Sequence, residues 1–246
     1  MCLNGRRKKC KIKARNINKE WYFLSQASKL KKQAELAKKP TVKQAFLTFV
    51  DALTDNRSFC MAWLIAGFIF FTVYGFIDNP DLAKTASVIG KTHPRLFVWW
   101  AVFSGVSLYL NLQYLYKLNS FRDGKLAKVG NICTYLGVIC IFACVNIPSV
   151  EPEDGKTLQM IAHWSTALLF AAFFAAAIIV YLLHMTMKKS VKHLIMLIVL
   201  SLTLVLMVVL LAIFGKSGGI ESIPMWVAYI IVFLMNYTKP FQPVKK

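Results

Sequence analysis

Acid is scarce in this chain. Eleven Asp and Glu stand against 30 Lys and Arg, and charged residues of both signs make up only 17% of the 246 positions, while 57% are hydrophobic. Soluble domains carry about a quarter charged residues, so this balance excludes an ordinary soluble domain of such length. Charge is missing altogether from six long apolar stretches. A charged side chain at membrane depth is costly and persists where it serves an ion path or a proton relay. Its absence argues against an ion-coupled pump or a voltage sensor and leaves passage of a neutral solute open. The six cysteines form no disulfide framework: Cys2 and Cys10 lie in a basic leader, and Cys60, Cys133, Cys140 and Cys144 lie in apolar stretches.

Catalytic signatures are missing too. No GxSxG, HxxxxD, CxxC or phosphate-binding glycine pattern occurs. Ser165 follows His163 by two residues, which places the two side chains about 200° apart around a helix and makes no local dyad. A non-enzymatic protein without a cofactor or metal is therefore expected. Histidine is limited to His93, His163, His184 and His193. His163 and His184 would lie roughly 31 Å apart along one helix, too far to serve a single haem. A haem-binding redox protein would instead need the pairs His163 with His93 and His184 with His193, all at span ends.

What is present is apolar length. A hydrocarbon core roughly 30 Å thick needs about 20 apolar residues, and the uncharged runs over 59–77, 96–116, 129–147, 158–184, 194–214 and 223–238 meet that need. The fold class expected is all-α: a six-helix transmembrane bundle. Aliphatic residues surround the whole of 194–214, which marks it as peripheral. Ala167, Ala171 and Ala175 stack at intervals of four, which marks 158–184 as the central helix.

Orientation follows from the basic residues. One side collects 15 from residues 1–57, then Lys117, Arg122, Lys125, Lys128, Lys188, Lys189, Lys192, Lys239, Lys245 and Lys246. The other side holds only Lys84, Lys91, Arg95, Lys156 and Lys216. The richer side is expected to be cytoplasmic, with both termini on it, in a plasma membrane or endomembrane. The start, MCLNGRRKKCKIKAR, has no apolar core behind it and reads as no cleavable signal peptide. Free of acid until Glu20, it also admits a mitochondrial presequence, and with it an accessory subunit of a mitochondrial inner-membrane complex.

Residues 1–57 form a polybasic leader ahead of the transmembrane domain 58–238 and the tail 239–246. Thr41 and Gln44 make a capping box behind Pro40, and Val42, Ala45, Phe46, Phe49, Val50 and Leu53 follow at helical spacing. This predicts an amphipathic helix over 42–54 lying on the cytoplasmic leaflet. Lys29, Lys31, Lys32, Lys38, Lys39 and Lys43 are the expected contacts to anionic lipid. Nucleic acid is not an expected partner, because no aromatic platform interleaves the basic residues.

Asn131 opens the third span, Gly137 lies in its middle, and it ends as Asn146-Ile147-Pro148. An acidic loop leads to His163 in HWSTALLFAAFF, and Glu221, Trp226 and Tyr237-Thr238-Lys239 mark the last span. Over about residues 125–240 this pattern resembles the Frag/DRAM/Sfk superfamily of six-span membrane proteins, with Glu221 and Trp226 separated by four residues where the family has them adjacent. The resemblance implies a part in membrane lipid homeostasis or trafficking. Asn131, Asn146, His163, Trp164, Glu221 and Trp226 then become candidates for holding a lipid headgroup. The same residues can equally serve packing, with the two Asn bonding across helices and His163 anchoring the fourth span beside Trp164. Asn111, Gln113 and Asn131 are the polar residues on which a carrier of a neutral solute would be built.

The topology makes a direct prediction. The sequons Asn56-Arg57-Ser58 and Asn236-Tyr237-Thr238 fall on the side read as cytoplasmic, so neither acquires a glycan in cells. A glycosidase-sensitive mass on either one inverts or breaks this orientation.

Overall fold

A computed structural model describes residues 41–150 and 155–241. The helices among these residues are α1 (Val42–Asp55), α2 (Arg57–Gly75), α3 (Ala86–Thr92), α4 (Pro94–Leu118), α5 (Lys125–Asn146), α6 (Thr157–Met187), α7 (Val191–Phe214) and α8 (Gly218–Tyr237), followed by a 3₁₀ turn at Lys239–Phe241. No strand occurs among the described residues. Six of these, α2 and α4 to α8, are long and apolar enough to cross a bilayer, and the chain is a multi-pass helical membrane protein.

Local chemistry sets the helix ends. The capping box forms as read: Thr41 N–H donates to Gln44 Oε1 at 3.0 Å and Gln44 N–H to Thr41 Oγ1 at 3.3 Å. Asn56 caps α2 by accepting from the Phe59 amide at 3.0 Å. Pro94 occupies the first turn of α4, where its missing N–H costs nothing. The compact unit that holds the bundle begins at Val50, inside α1. Val50 and Thr54 are buried there. Asp51 pairs with Arg122 at 2.6 Å, and Asp55 pairs with Lys117.

The packing centre is α4, not the alanine-striped α6: 56% of the most apolar stretch of α4 is buried, against 33% for α6. The alanine stripe overstated its case because the close approach between α5 and α6 comes from the α5 side. A Cβ on Gly137 would stand 2.7 Å from the Phe174 ring, so the missing side chain is what admits that ring. Ala167 and Ala171 are only partly buried at the edge of the core. Helix α7 is peripheral as its sequence implied, with 6% of its apolar stretch buried.

Two features depart from the apolar runs. The connection after α2 contains α3, too short and too mixed to register as an apolar period. Helix α8 starts five residues before the expected 223, because Ser217 caps it by accepting from Ile220 N–H at 3.2 Å. Its first turn also docks on the connection after α2: Gly218 N–H donates to Ala83 O at 3.4 Å and Gly219 N–H to Leu82 O at 2.9 Å. A Cβ on Gly218 would lie 2.1 Å from Lys84 O, so only glycine allows this approach.

Helices α2 and α4 meet as closely. A Cβ on Gly67 would lie 2.3 Å from Ser107 Oγ and 3.0 Å from the Phe103 carbonyl oxygen, whereas on Gly75 it meets nothing nearer than Leu82 Cδ2 at 3.6 Å. Gly67→Ala should therefore destabilise the bundle by about 1–3 kcal/mol, the usual range for overpacking. Gly75→Ala, in ordinary contact, should change the thermal midpoint little. Equal midpoints for the two variants in nanodiscs would disprove the close packing of α2 on α4.

Candidate functional site

The two ends of the bundle differ. One end, the basic end, gathers Arg57, Lys117, Arg122 and Lys192; the far end holds the connection after α2, the α5–α6 turn and the start of α8.

At the far end the connection after α2 is locked from inside. Asn79 is buried; its amide donates to Gly75 O at 2.8 Å and Lys84 O at 2.9 Å, and its Oδ1 accepts from Lys84 N–H at 2.8 Å. Tyr74 OH donates to Ala86 O at 2.9 Å and fixes the start of α3. Gly90 lies so close to Phe97 that a Cβ there would meet the ring at 2.8 Å. On the surface, Asp78 Oδ2 meets His93 Nε2 at 2.8 Å, and this hydrogen bond holds the Asp78 carboxyl below the usual carboxylate range.

His163, on α6, is 1% exposed, so its ring must bond to protein. Nδ1 stands 2.7 Å from Ile147 O and Nε2 stands 2.9 Å from Ser87 Oγ. A carbonyl only accepts, so Nδ1 carries the proton. In the neutral imidazole Nε2 is then the acceptor, and the Ser87 hydroxyl donates to it. Cys144 Sγ is 3.9 Å from Nε2, and the Phe97 ring centroid is 6.5 Å from that of the imidazole. His163 thus joins α6, the end of α5 and α3. Its serine partner comes from 76 residues upstream, not from the neighbouring Ser165, which is exposed. No local spacing signals such a pair, because α3 must first be folded against α4.

The neighbouring Trp164 is exposed, and Lys216 Nζ lies 3.2 Å from its ring centroid. Glu221, exposed in the first turn of α8, is within electrostatic reach of Lys216. Asn146 is exposed, and its amide donates to Phe142 O at 2.7 Å. Asn146, His163, Trp164 and Glu221 therefore belong to one end. Asn131 and Trp226 stand apart: Asn131 Oδ1 accepts from Gln113 Nε2 at 3.0 Å between α5 and α4, and Trp226 Nε1 donates to Thr72 Oγ1 at 3.1 Å between α8 and α2.

A polar seam centred on Asn111 runs through the middle of the bundle. Asn111, fully buried, donates from Nδ2 to Cys60 O at 3.0 Å and Ser107 O at 2.8 Å, and its Oδ1 accepts from Tyr237 OH at 2.6 Å. Asn236 Nδ2 donates to Asn111 O at 3.0 Å, and Ser107 Oγ and Tyr229 OH lie 2.8 Å apart. These bonds tie α2, α4 and α8 together. The other histidines are engaged locally: Ser190 Oγ and His193 Nδ1 lie 2.6 Å apart, and His184 packs against Phe121 at 4.7 Å between centroids. Among the described residues no group of three or more His, Cys, Asp and Glu gathers to hold a metal.

At the basic end four of the described cations have internal partners. Lys117 and Arg122 pair with Asp55 and Asp51, Arg57 Nη2 donates to Tyr237 O at 3.2 Å, and Lys192 Nζ donates to Pro240 O at 3.1 Å. Lys29, Lys31, Lys32, Lys38 and Lys39 lie outside the described residues, and Lys43 belongs to the first turn of α1.

The seam yields a ranking of mutants. Asn111→Ala removes two interhelical bonds and leaves Tyr237 OH without its acceptor, a loss of about 1–3 kcal/mol, whereas Tyr237→Phe removes one bond and should cost about 0.6–1.7 kcal/mol. Asn146→Ala, at an exposed site, should stay within about 0.5 kcal/mol. Unfolding in mixed micelles measures all three, and an Asn111→Ala variant no weaker than Asn146→Ala would rule out the seam.

No protein-family model, curated protein or solved structure matches this chain, so its function is to be read from these residues and their geometry.

Proposed function

We propose that this protein binds and organises membrane lipids, holding a phospholipid headgroup at the far end of the bundle, in membrane lipid homeostasis or trafficking. The observation that carries the reading is Trp164 with Lys216 at 3.2 Å and Glu221 close to that lysine, all exposed at the end of apolar helices. A headgroup phosphate needs a cation, and a choline or ethanolamine needs an aromatic face or a carboxylate. Tryptophan at a span end also sits at the depth where headgroups begin. The resemblance to the Frag/DRAM/Sfk superfamily leads to the same class of role.

The leader supplies a second contact in this reading, on the cytoplasmic side where both termini are placed. Residues 1–57 carry 15 basic and four acidic residues, and each Lys or Arg near an anionic leaflet is worth about 1 kcal/mol. Helix α1 continues it as an amphipathic element, with Val42, Phe46 and Phe49 exposed and available for insertion. A solute path has less support, because Asn111, Gln113 and Asn131 are already bonded to one another or to other protein groups.

Native mass spectrometry of the full chain from nanodiscs tests the headgroup site. Wild type should retain phospholipid, and Trp164→Ala/Lys216→Ala should retain several-fold less while its stability stays within about 1 kcal/mol, as expected of exposed positions. Equal retention by the two proteins would refute the headgroup site. His163→Ala, by contrast, should destabilise the bundle by about 1–3 kcal/mol, since it empties the place of a buried ring and removes its two hydrogen bonds.

A further inference from the structure

We propose that Ser87 is a nucleophile activated by His163 and that it acts on the acyl esters of membrane lipids. Four features of the far end support this. The tautomer is the one such chemistry needs, because the Ile147 carbonyl holds the proton on Nδ1 at 2.7 Å and leaves Nε2 to accept from Ser87 Oγ at 2.9 Å. The base is shielded and the nucleophile is reachable: His163 is 1% exposed, while Ser87 is only half-buried.

Both groups are also held rigidly. His163 stands on α6, six residues in from its start. Ser87 stands on α3, pinned by the Tyr74 bond to Ala86 O at 2.9 Å and by Gly90 pressed on Phe97. Placement within tenths of an ångström on supported elements is what separates a reactive pair from a passing contact. Depth is the last feature. Lys188 and Lys189 follow α6 at the basic end, and His163 lies 25 residues before Lys188, roughly 37 Å along the axis. With hydrocarbon roughly 30 Å thick, His163 and Ser87 fall in the interfacial layer of the opposite leaflet, where glycerol esters lie.

The reaction balances with water as the only co-reactant. Ser87 Oγ attacks the ester carbonyl carbon and passes its proton to His163 Nε2. The bond from that carbon to the alkoxy oxygen breaks, and the leaving oxygen takes the proton from Nε2. Water then attacks the acyl-serine, returns a proton through Nε2 to Ser87 Oγ, and releases a carboxylic acid. The inference rests on the headgroup site above, at the same end of the bundle, for delivery of substrate. It departs from the non-enzymatic expectation drawn from motifs, since no motif spans residues 76 apart.

An alkyl fluorophosphonate probe tests the assignment on the full chain in nanodiscs, with peptide mass spectrometry to locate the adduct. The expected result is an adduct on Ser87 in native wild type, at least tenfold less in heat-denatured protein, and none at that position in Ser87→Ala. His163→Gln should lower labelling at least tenfold. No adduct on Ser87 in folded wild type, or equal labelling before and after denaturation, overturns the proposal. So does undiminished labelling of His163→Gln with a wild-type thermal midpoint. Lipid retention is read separately by native mass spectrometry: an unlabelled Ser87 with retention intact removes the chemistry and leaves the headgroup site standing.

Discussion

Inside hydrocarbon a polar side chain has no water to turn to, so it must find its partners within the bundle. The carboxamide of Asn111 is where this constraint bears hardest. It reaches the backbone of α2 at Cys60, the backbone of its own helix at Ser107 and the hydroxyl of Tyr237 on α8. Rotating any of the three helices by a residue would break at least one of these bonds. Gly67 makes the arrangement sterically possible, because α2 can then come within reach of Ser107. Each bond is modest, of order 1 kcal/mol in a membrane, but together they select one register where apolar packing alone would tolerate several.

The consequences of that register appear at the far end. With α2 and α4 fixed, Tyr74, Phe97 and Trp100 stack on one another, with Phe97 and Trp100 centroids 5.4 Å apart and Tyr74 5.9 Å from Trp100. Phe97 is the floor on which Gly90 rests, and Tyr74 grips α3 at Ala86. The short helix thus inherits its position from the seam. His163 receives Ser87 only because α3 has been brought there, and it is fixed in turn by the turn that ends α5. Central polar bonds and the far-end geometry are two parts of one chain of contacts.

The spans were legible because length and apolarity are properties of contiguous residues, and so was the peripheral place of α7, whose aliphatic residues leave no polar face. The capping box at Thr41 and Gln44 was legible for the same reason: it is local. What could not be read depends on residues distant in sequence. Ser87 and His163 are 76 apart, Ser107 and Tyr229 are 122 apart, and Asn111 and Tyr237 are 126 apart. The start of α8 was misplaced because Glu221 interrupts the apolar run, although a charged residue in the first turn of a helix, at the bundle's end, does not stop the helix. Alanine periodicity in α6 pointed to a central helix, and the structure answers with a glycine on the facing helix. Small residues mark a close contact without saying which side is central.

The two ends would meet lipid through different physics. At the basic end Lys117, Arg122, Arg57 and Lys192 are taken up by Asp51, Asp55 and backbone carbonyls, so attraction to an anionic leaflet would fall to the leader lysines and to those that flank the spans, such as Lys125, Lys128, Lys188 and Lys189. Such contacts act through water and weaken with added salt, over a Debye length of about 8 Å at physiological ionic strength. At the far end only Lys84, Lys91, Arg95, Lys156 and Lys216 carry positive charge, among six acids, so no strong field draws lipid there. In the proposed reading, recognition there would be short-range, through the aromatic face of Trp164 and the Lys216 ammonium over it. An ester has no charge for a field to grip, and a group that acts on one has to be placed rather than attracted. In the proposed chemistry the rigid mounting of Ser87 and His163, set by hydrogen bonds that begin at the centre of the bundle, would supply that placement.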